Sequence, residues 1–162
     1  MTSDTVAAVA APKLRRRVLI AGGCVALGLG IGVPLRRYQT RPALSGAILT
    51  PVEAHARALS GEITLIDIRR PDEWAATGVG EGAHPLDMRS EDFAARLTRL
   101  AGGRNQPVAV ICARGVRSRR LAETLRQAGF SDILDVPEGM SGSRAGPGWV
   151  GRGLPVTPFR PE

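Results

Sequence analysis

The chain has 162 residues, 43% of them hydrophobic, 23% charged and 4% aromatic, which excludes a disordered chain and implies one domain with an aliphatic core plus a tail. Its formal net charge of +7 is unevenly spread: residues 1–42 hold seven basic groups and one acid, residues 43–162 fifteen arginines and fourteen acids. The basicity therefore belongs to the tail, and no nucleic-acid partner is expected for the domain.

Residues 1–17 are a basic N-terminal region, and residues 18–35, VLIAGGCVALGLGIGVPL, run eighteen positions without a charge. That length is at the lower limit for a helix crossing a hydrocarbon core about 30 Å thick at about 1.5 Å per residue. Five glycines and Pro34 make it a weak helix former, suited to a mildly hydrophobic export signal as well as to a transmembrane helix. The preceding KLRRRVLI, with two arginines, a spacer and apolar residues, resembles the twin-arginine export pattern. Ala43 and Ser45 offer a small-x-small cleavage pattern, crowded by Arg36, Arg37 and Arg41. The expectation is a membrane anchor or a cleaved signal, with the domain in the cell envelope, held outside the cytoplasm or released to the periplasm. A buried core helix is the alternative. Residues 36–45 read as a linker and residues 46–158 as the domain.

From residue 46 short β-branched runs alternate with helical patterns. A brief strand at Ile48–Leu49 precedes a helix with Thr50 as N-cap, Pro51 at its first position and Glu53 closing a capping box. EITLIDIR is a continuous apolar strand of the kind buried on both faces of a parallel sheet. PDEWAATG makes one or two helical turns ending at Gly78, and GAHPL is a short strand. SEDFAARLTRLAGG is an amphipathic helix with Phe93, Leu97 and Leu100 on one face and Gly102 as its stop. QPVAVICA is another apolar strand, VRSRRLAETLRQAGF a helix, and SDILDVPEG the last strand. This alternation predicts an α/β domain whose central parallel sheet is flanked by helices on both faces, with its ligand crevice at the carboxyl ends of the strands.

Cys112 ends one of those strands. Cys24 and Cys112 are the only cysteines, and His55 and His84 stand apart, so no metal is expected. In CARGVRS, amides not used by the ladder join the unpaired N–H groups of the next helix's first turn as a nest for an anion, and Gly115 permits a tight conformation. Arg114 and Arg117 add positive charge, and each of these contributions favours the thiolate. Cys112 is thereby a candidate nucleophile, with Ala113, Arg114, Gly115, Val116 and Arg117 as the substrate-binding loop. Packing at a strand end is the plain alternative for a lone cysteine. Arg119, Arg120 and Arg126 read as the solvated face of a helix whose buried stripe includes Leu121 and Leu125.

These segments, in this order, resemble the rhodanese-like family of sulfurtransferases over roughly residues 44–157. Asp67, Arg69, Glu73 and Trp74 match a D-x-R-x-x-x-E-aromatic element, GEGAHPLDM its G-A-x-x-aliphatic segment and CARGVRS its active-site loop. Gly139, Trp149, Leu154 and Pro155 match its closing element. One departure is Gly78-Val79-Gly80, where the family usually has Gly-His-Ile. The resemblance implies a sulfurtransferase that needs neither a metal nor an organic cofactor. Cys112 takes the sulfane sulfur of a small anionic donor such as thiosulfate as a persulfide and passes it to cyanide, a thiol or a protein cysteine. Asp67, Arg69 and Glu73 would support the loop, or serve simply as structural ion pairs.

Cysteine-dependent phosphatases and arsenate reductases have a similar loop but need C-x5-R, whereas Arg117 gives C-x4-R here and Ser118 takes the sixth position. A non-enzymatic persulfide relay or binding module at the membrane is the other alternative, since carrier and enzyme need the same nest. The tail MSGSRAGPGWVGRGLPV reads as a loop in which Trp149 packs against the sheet beside the active loop and Arg144 helps to line the pocket.

Overall fold

The protein is described by a computed structural model over residues 46–160. The expected basic region, hydrophobic segment and linker of residues 1–45 lie outside the described residues. Among the described residues no helix is long and apolar enough to cross a membrane.

The first helix, α1 (Pro51–Leu59), starts on the capping box expected from sequence. The Glu53 N–H donates to Thr50 Oγ1 at 3.3 Å, and the Thr50 N–H donates to Glu53 Oε2 at 2.9 Å. There follow β1 (Thr64–Asp67), α2 (Pro71–Thr77), β2 (Val79–Gly80), β3 (Ala83–Pro85) and α3 (Phe93–Ala101). After these come β4 (Val108–Ile111), α4 (Val116–Gln127), β5 (Ile133–Val136), α5 (Gly148–Gly151) and β6 (Val156–Thr157).

The main sheet is parallel in the order β3-β1-β4-β5, with Asp67 level with Ile111 and Ile111 level with Val136. Ile48, expected in a strand, instead makes one isolated parallel bridge to Asp135 of β5. Alternation along the strands splits the core into two layers. Ile66, Val108, Val110 and Ile133 face α3 and α4, where Phe93, Leu97, Leu121 and Leu125 cover them. Leu65, Ala109, Ile111, Leu134 and Val136 face the other way, toward Ala54 of α1 and Trp149 of α5. Each fully buried aliphatic or aromatic side chain of this kind contributes roughly 1.5–3 kcal/mol.

Leu100 departs from the expected stripe of α3, being 41% exposed. Phe93, Leu97 and Ala101 meet the core instead, since steps of four residues follow the sheet-facing line of this nine-residue helix. Sequence reasoning also missed the antiparallel pair β2–β6, in which Val79 lies opposite Thr157 and Gly80 opposite Val156. This pair closes over Trp149: a Cβ at Gly80 would fall 2.8 Å from the indole ring.

Candidate active site

Cys112 is the first residue beyond β4, at the carboxyl edge of the sheet, and its side chain is buried. The four residues from Cys112 to Gly115 turn the chain into α4, with Gly115 as the cap in the left-handed region at φ 78°. The turn's carbonyls are held away from the sulfur. The Met140 N–H donates to Cys112 O at 2.8 Å, and the Ser141 N–H to Ala113 O at 2.9 Å. With those carbonyls occupied on the β5–α5 side, the Gly115 N–H donates to Cys112 Sγ at 3.1 Å. The first-turn amides of α4 add the partial positive charge of a helix N-terminus beside the sulfur.

Two glycines make this arrangement possible. A Cβ at Gly115 would collide with the Pro137 carbonyl, and one at Gly139 (φ 68°) with the Ala113 carbonyl. The segment after β5 thus forms a wall against which the turn is pressed. Behind the sulfur, the Cys112 thiol donates to Ser118 Oγ at 3.6 Å, and the Ser118 hydroxyl donates to Gly115 O at 3.2 Å. Ser118 is fully buried. Its signal was present in the sequence, since 118, 121, 122 and 125 form one helical stripe.

The acidic and basic residues singled out beside the loop are brought together. Arg117 makes a two-pronged contact with Glu73, Nη1 to Oε2 at 2.8 Å and Nη2 to Oε1 at 2.6 Å. This hydrogen bonding holds the Glu73 carboxyl below its usual range and raises the Arg117 guanidinium further. Arg117 is therefore charge-paired rather than bare. It still lines a cavity of about 480 Å³ with Arg70, Met88 and Arg89.

Asp67 and Arg69 sit one step behind. Arg69 Nη2 donates to Asp67 Oδ2 at 2.7 Å and Arg69 Nε to Oδ1 at 3.0 Å, and both residues are buried. The same guanidinium donates to Thr77 Oγ1 at 2.7 Å and to Gly78 O at 2.6 Å, tying the end of β1 to the end of α2. Asp67 and Arg69 thus hold the helix that presents Glu73 to Arg117.

Arg114 and Val116 are exposed, and with Gly115 and Arg144 they line a second cavity of about 990 Å³. Trp149 packs on the opposite face from Cys112. Its backbone N–H donates to Gly139 O at 2.9 Å, in the segment that walls the loop, while its Nε1–H donates to Pro155 O at 2.8 Å. Sequence reasoning missed Glu138, whose buried carboxylate accepts from the Gly148 N–H at 3.0 Å and from Arg152 Nη2 at 2.7 Å, closing the segment that walls the loop. His84, on β3, is exposed, and His55 pairs with Glu81 at 2.8 Å. Among the described residues no group of three or more His, Cys, Asp or Glu converges to hold a metal ion.

Residues 50–145 match the rhodanese-like domain family. An uncharacterized protein of Bacillus subtilis (strain 168), YqhL, is 34% identical over 95 residues, which cover 56% of this chain and 68% of that protein. Among solved structures, the polysulfide-sulfur transferase homodimer from Wolinella succinogenes is 28% identical with a TM-score of 0.55, over 70% of this chain and 79% of that one. A rhodanese-like domain protein from Staphylococcus aureus is 25% identical with a TM-score of 0.51, over 68% of this chain and 98% of that one. With its cysteine turn between a buried parallel strand and a helix, and with the matched segments spanning both, this chain belongs to the rhodanese-like domain family.

Proposed function

We propose that the protein is a sulfurtransferase that carries a sulfane sulfur as a persulfide on Cys112. The observation that carries this reading is the Gly115 N–H directed at Cys112 Sγ, in a turn whose carbonyls are bonded elsewhere. A sulfur anion at that position is stabilised by the amide and by the amino-terminal end of α4 without a metal.

In the first half-reaction the Cys112 thiolate attacks the outer sulfur of thiosulfate or a similar donor. The new S–S bond forms as the donor's S–S bond breaks, and sulfite leaves with the bonding pair. In the second, a thiolate or cyanide attacks the outer sulfur of the persulfide and Cys112 departs as thiolate. This is covalent catalysis with ping-pong kinetics. Arg114 would attract the dianionic donor, and Ala113, Gly115 and Val116 would shape its seat. Arg117 would hold the loop through Glu73, with Asp67 and Arg69 as support.

The family match and the name of the Wolinella protein support sulfur transfer as the class of chemistry. We propose thiosulfate as the donor, a thiol or protein cysteine as the acceptor, and the cell envelope as the place of work, the last on the apolar run of residues 18–35. The test is mass spectrometry of the thiosulfate-treated protein together with thiocyanate formation from thiosulfate and cyanide. We expect a gain of one sulfur atom mapped to Cys112, and turnover abolished by Cys112→Ser. A persulfide without turnover would mark a relay module instead, and release of phosphate from an aryl phosphate would mark a phosphatase.

A further inference from the structure

Before its sulfur can attack, the Cys112 thiol must lose a proton. Cys112 and Ser118 are 1% and 0% exposed, so a proton leaving along the 3.6 Å contact from Sγ to Ser118 Oγ meets protein and not solvent. The Ser118 hydroxyl in turn has two acceptors within reach. It donates to Gly115 O at 3.2 Å, and it can also hydrogen-bond the Asp135 carboxyl.

The sheet brings Asp135 to that position. It stands level with Val110 of β4, two residues before Cys112, and two residues beyond Ile133. Because strand side chains alternate, Asp135 faces the α4 side together with Val110, Ile133 and Cys112. It is 7% exposed, and its Oδ1 is buried with no hydrogen-bond partner. Burial pushes its carboxyl up, against the pull of the Ser118 hydroxyl and of Arg119 and Arg126 on α4. Arg126 is itself engaged, by Glu123 at 3.2 Å and by donation to Ile133 O at 3.2 Å. Residues 46–49, bonded along the outer edge of β5, bring no charge to it. Arg117, whose charge acts on Cys112, is already paired with Glu73. A carboxylate held like Asp135 is a base, since accepting a proton ends the cost of burying its charge.

We infer, on the footing of the Cys112 persulfide reading, that Asp135 takes the Cys112 proton through the Ser118 hydroxyl and keeps it while the sulfur is an anion. The Ser118 hydroxyl turns from Gly115 O to the Asp135 carboxylate. The Cys112 S–H bond breaks and its proton joins Ser118 Oγ as the Ser118 proton passes to Asp135. The products are a thiolate and a neutral carboxyl, with the total charge unchanged and the new Ser118 O–H donating to the thiolate. Attack on the donor then needs no further proton transfer, because sulfite leaves with the bonding pair. The persulfide is again one anion beside a neutral carboxyl, so two buried negative charges never face each other. Asp135 acts on the sulfur only through Ser118, as a positioning residue.

The experiment follows two rates from about pH 4 to 9, a span that covers ordinary carboxyl and thiol values. One is alkylation by iodoacetamide of unloaded protein, followed on the Cys112 peptide by mass spectrometry, which reads the thiolate without any sulfur donor. The other is single-turnover sulfur loading from thiosulfate. Urea midpoints confirm that each variant is folded. We expect both parent rates to be flat over a stretch on the acid side of neutrality, because a pair sharing one proton keeps the same thiolate share there. In Asp135→Asn the proton goes to solvent, and both rates should fall about tenfold for each pH unit below the thiol's own value. Ser118→Ala, which cuts the path, should lose the flat stretch as well, and Ser118→Thr, which keeps a hydroxyl, should retain it. A parent rate that climbs steadily with pH, or a flat stretch that survives in Asp135→Asn or Ser118→Ala, overturns the proton pair. A flat stretch in alkylation without any sulfur loading overturns the sulfurtransferase reading and leaves the proton pair standing.

Discussion

Arg117 and Glu73, forty-four positions apart in sequence, meet in a two-pronged pair at 2.6 and 2.8 Å that joins the first turn of α4 to α2. The Glu73 and Arg117 side chains are 21% and 34% exposed, so solvent screens part of their attraction. A double-mutant cycle with Glu73→Ala and Arg117→Ala should give a coupling of about 1 kcal/mol in urea unfolding, near the top of the range for half-exposed pairs. A coupling near zero would remove the brace from the description of the loop.

Arg69 and Asp67 form the deeper pair, and breaking it should cost more. Arg69→Met leaves the Asp67 carboxylate buried without its partner, an arrangement that typically destabilises by about 3–5 kcal/mol. The double variant Asp67→Leu/Arg69→Met should recover part of that loss. Denaturation midpoints of the two variants, compared with the parent, check the ordering.

Gly115 and Gly102 offer a controlled comparison, because both sit at φ 78°. An added Cβ at Gly102 meets nothing within 4 Å, whereas at Gly115 it collides with the Pro137 carbonyl. Gly102→Ala should cost only the backbone strain, about 1–2 kcal/mol. Gly115→Ala should cost clearly more and should also lose sulfur loading at Cys112, since the turn must leave the Pro137 wall. Equal losses of stability would show that steric contact plays no part.

Acid should destabilise the fold through Glu73 and Glu138. Hydrogen bonds from Arg117 and from Arg152, respectively, hold these two carboxyls below their ordinary value of 4.5. Their contribution is fully present above that value and is lost as pH falls through the depressed folded values. Glu138→Gln should therefore flatten the acid limb of a stability–pH profile while lowering stability at neutral pH.

Asp135 should act with the opposite sign. Burial raises its carboxyl above the ordinary 3.8, so its effect is most favourable below that value and is lost as pH rises through the folded one. Asp135→Asn should gain stability relative to the parent at neutral pH, and the gain should vanish in acid. Urea titrations at several pH values separate the two carboxyl classes. A parent–variant difference independent of pH would show that Asp135 binds protons equally in the folded and unfolded states, and would overturn the raised value.

Local patterns in the chain determined the elements. The Thr50–Glu53 capping box, the apolar runs at residues 64–67 and 108–111, and the position of Cys112 between a strand and a helix depend on neighbours within a few residues. Propensity, periodicity and capping act at that range, so they can be read before any folding. The family's segments were legible for the same reason, each being short and continuous. Tertiary structure alone decided that Arg117 is neutralised by Glu73, that Pro137 and Gly139 wall the turn, and that Ser118 lies behind the sulfur. It also decided that Leu100 faces solvent and that four arginines share one cavity. Those outcomes depend on which distant side chains and carbonyls arrive at the same few ångströms, and sequence separation carries no information about that distance until the sheet order is set.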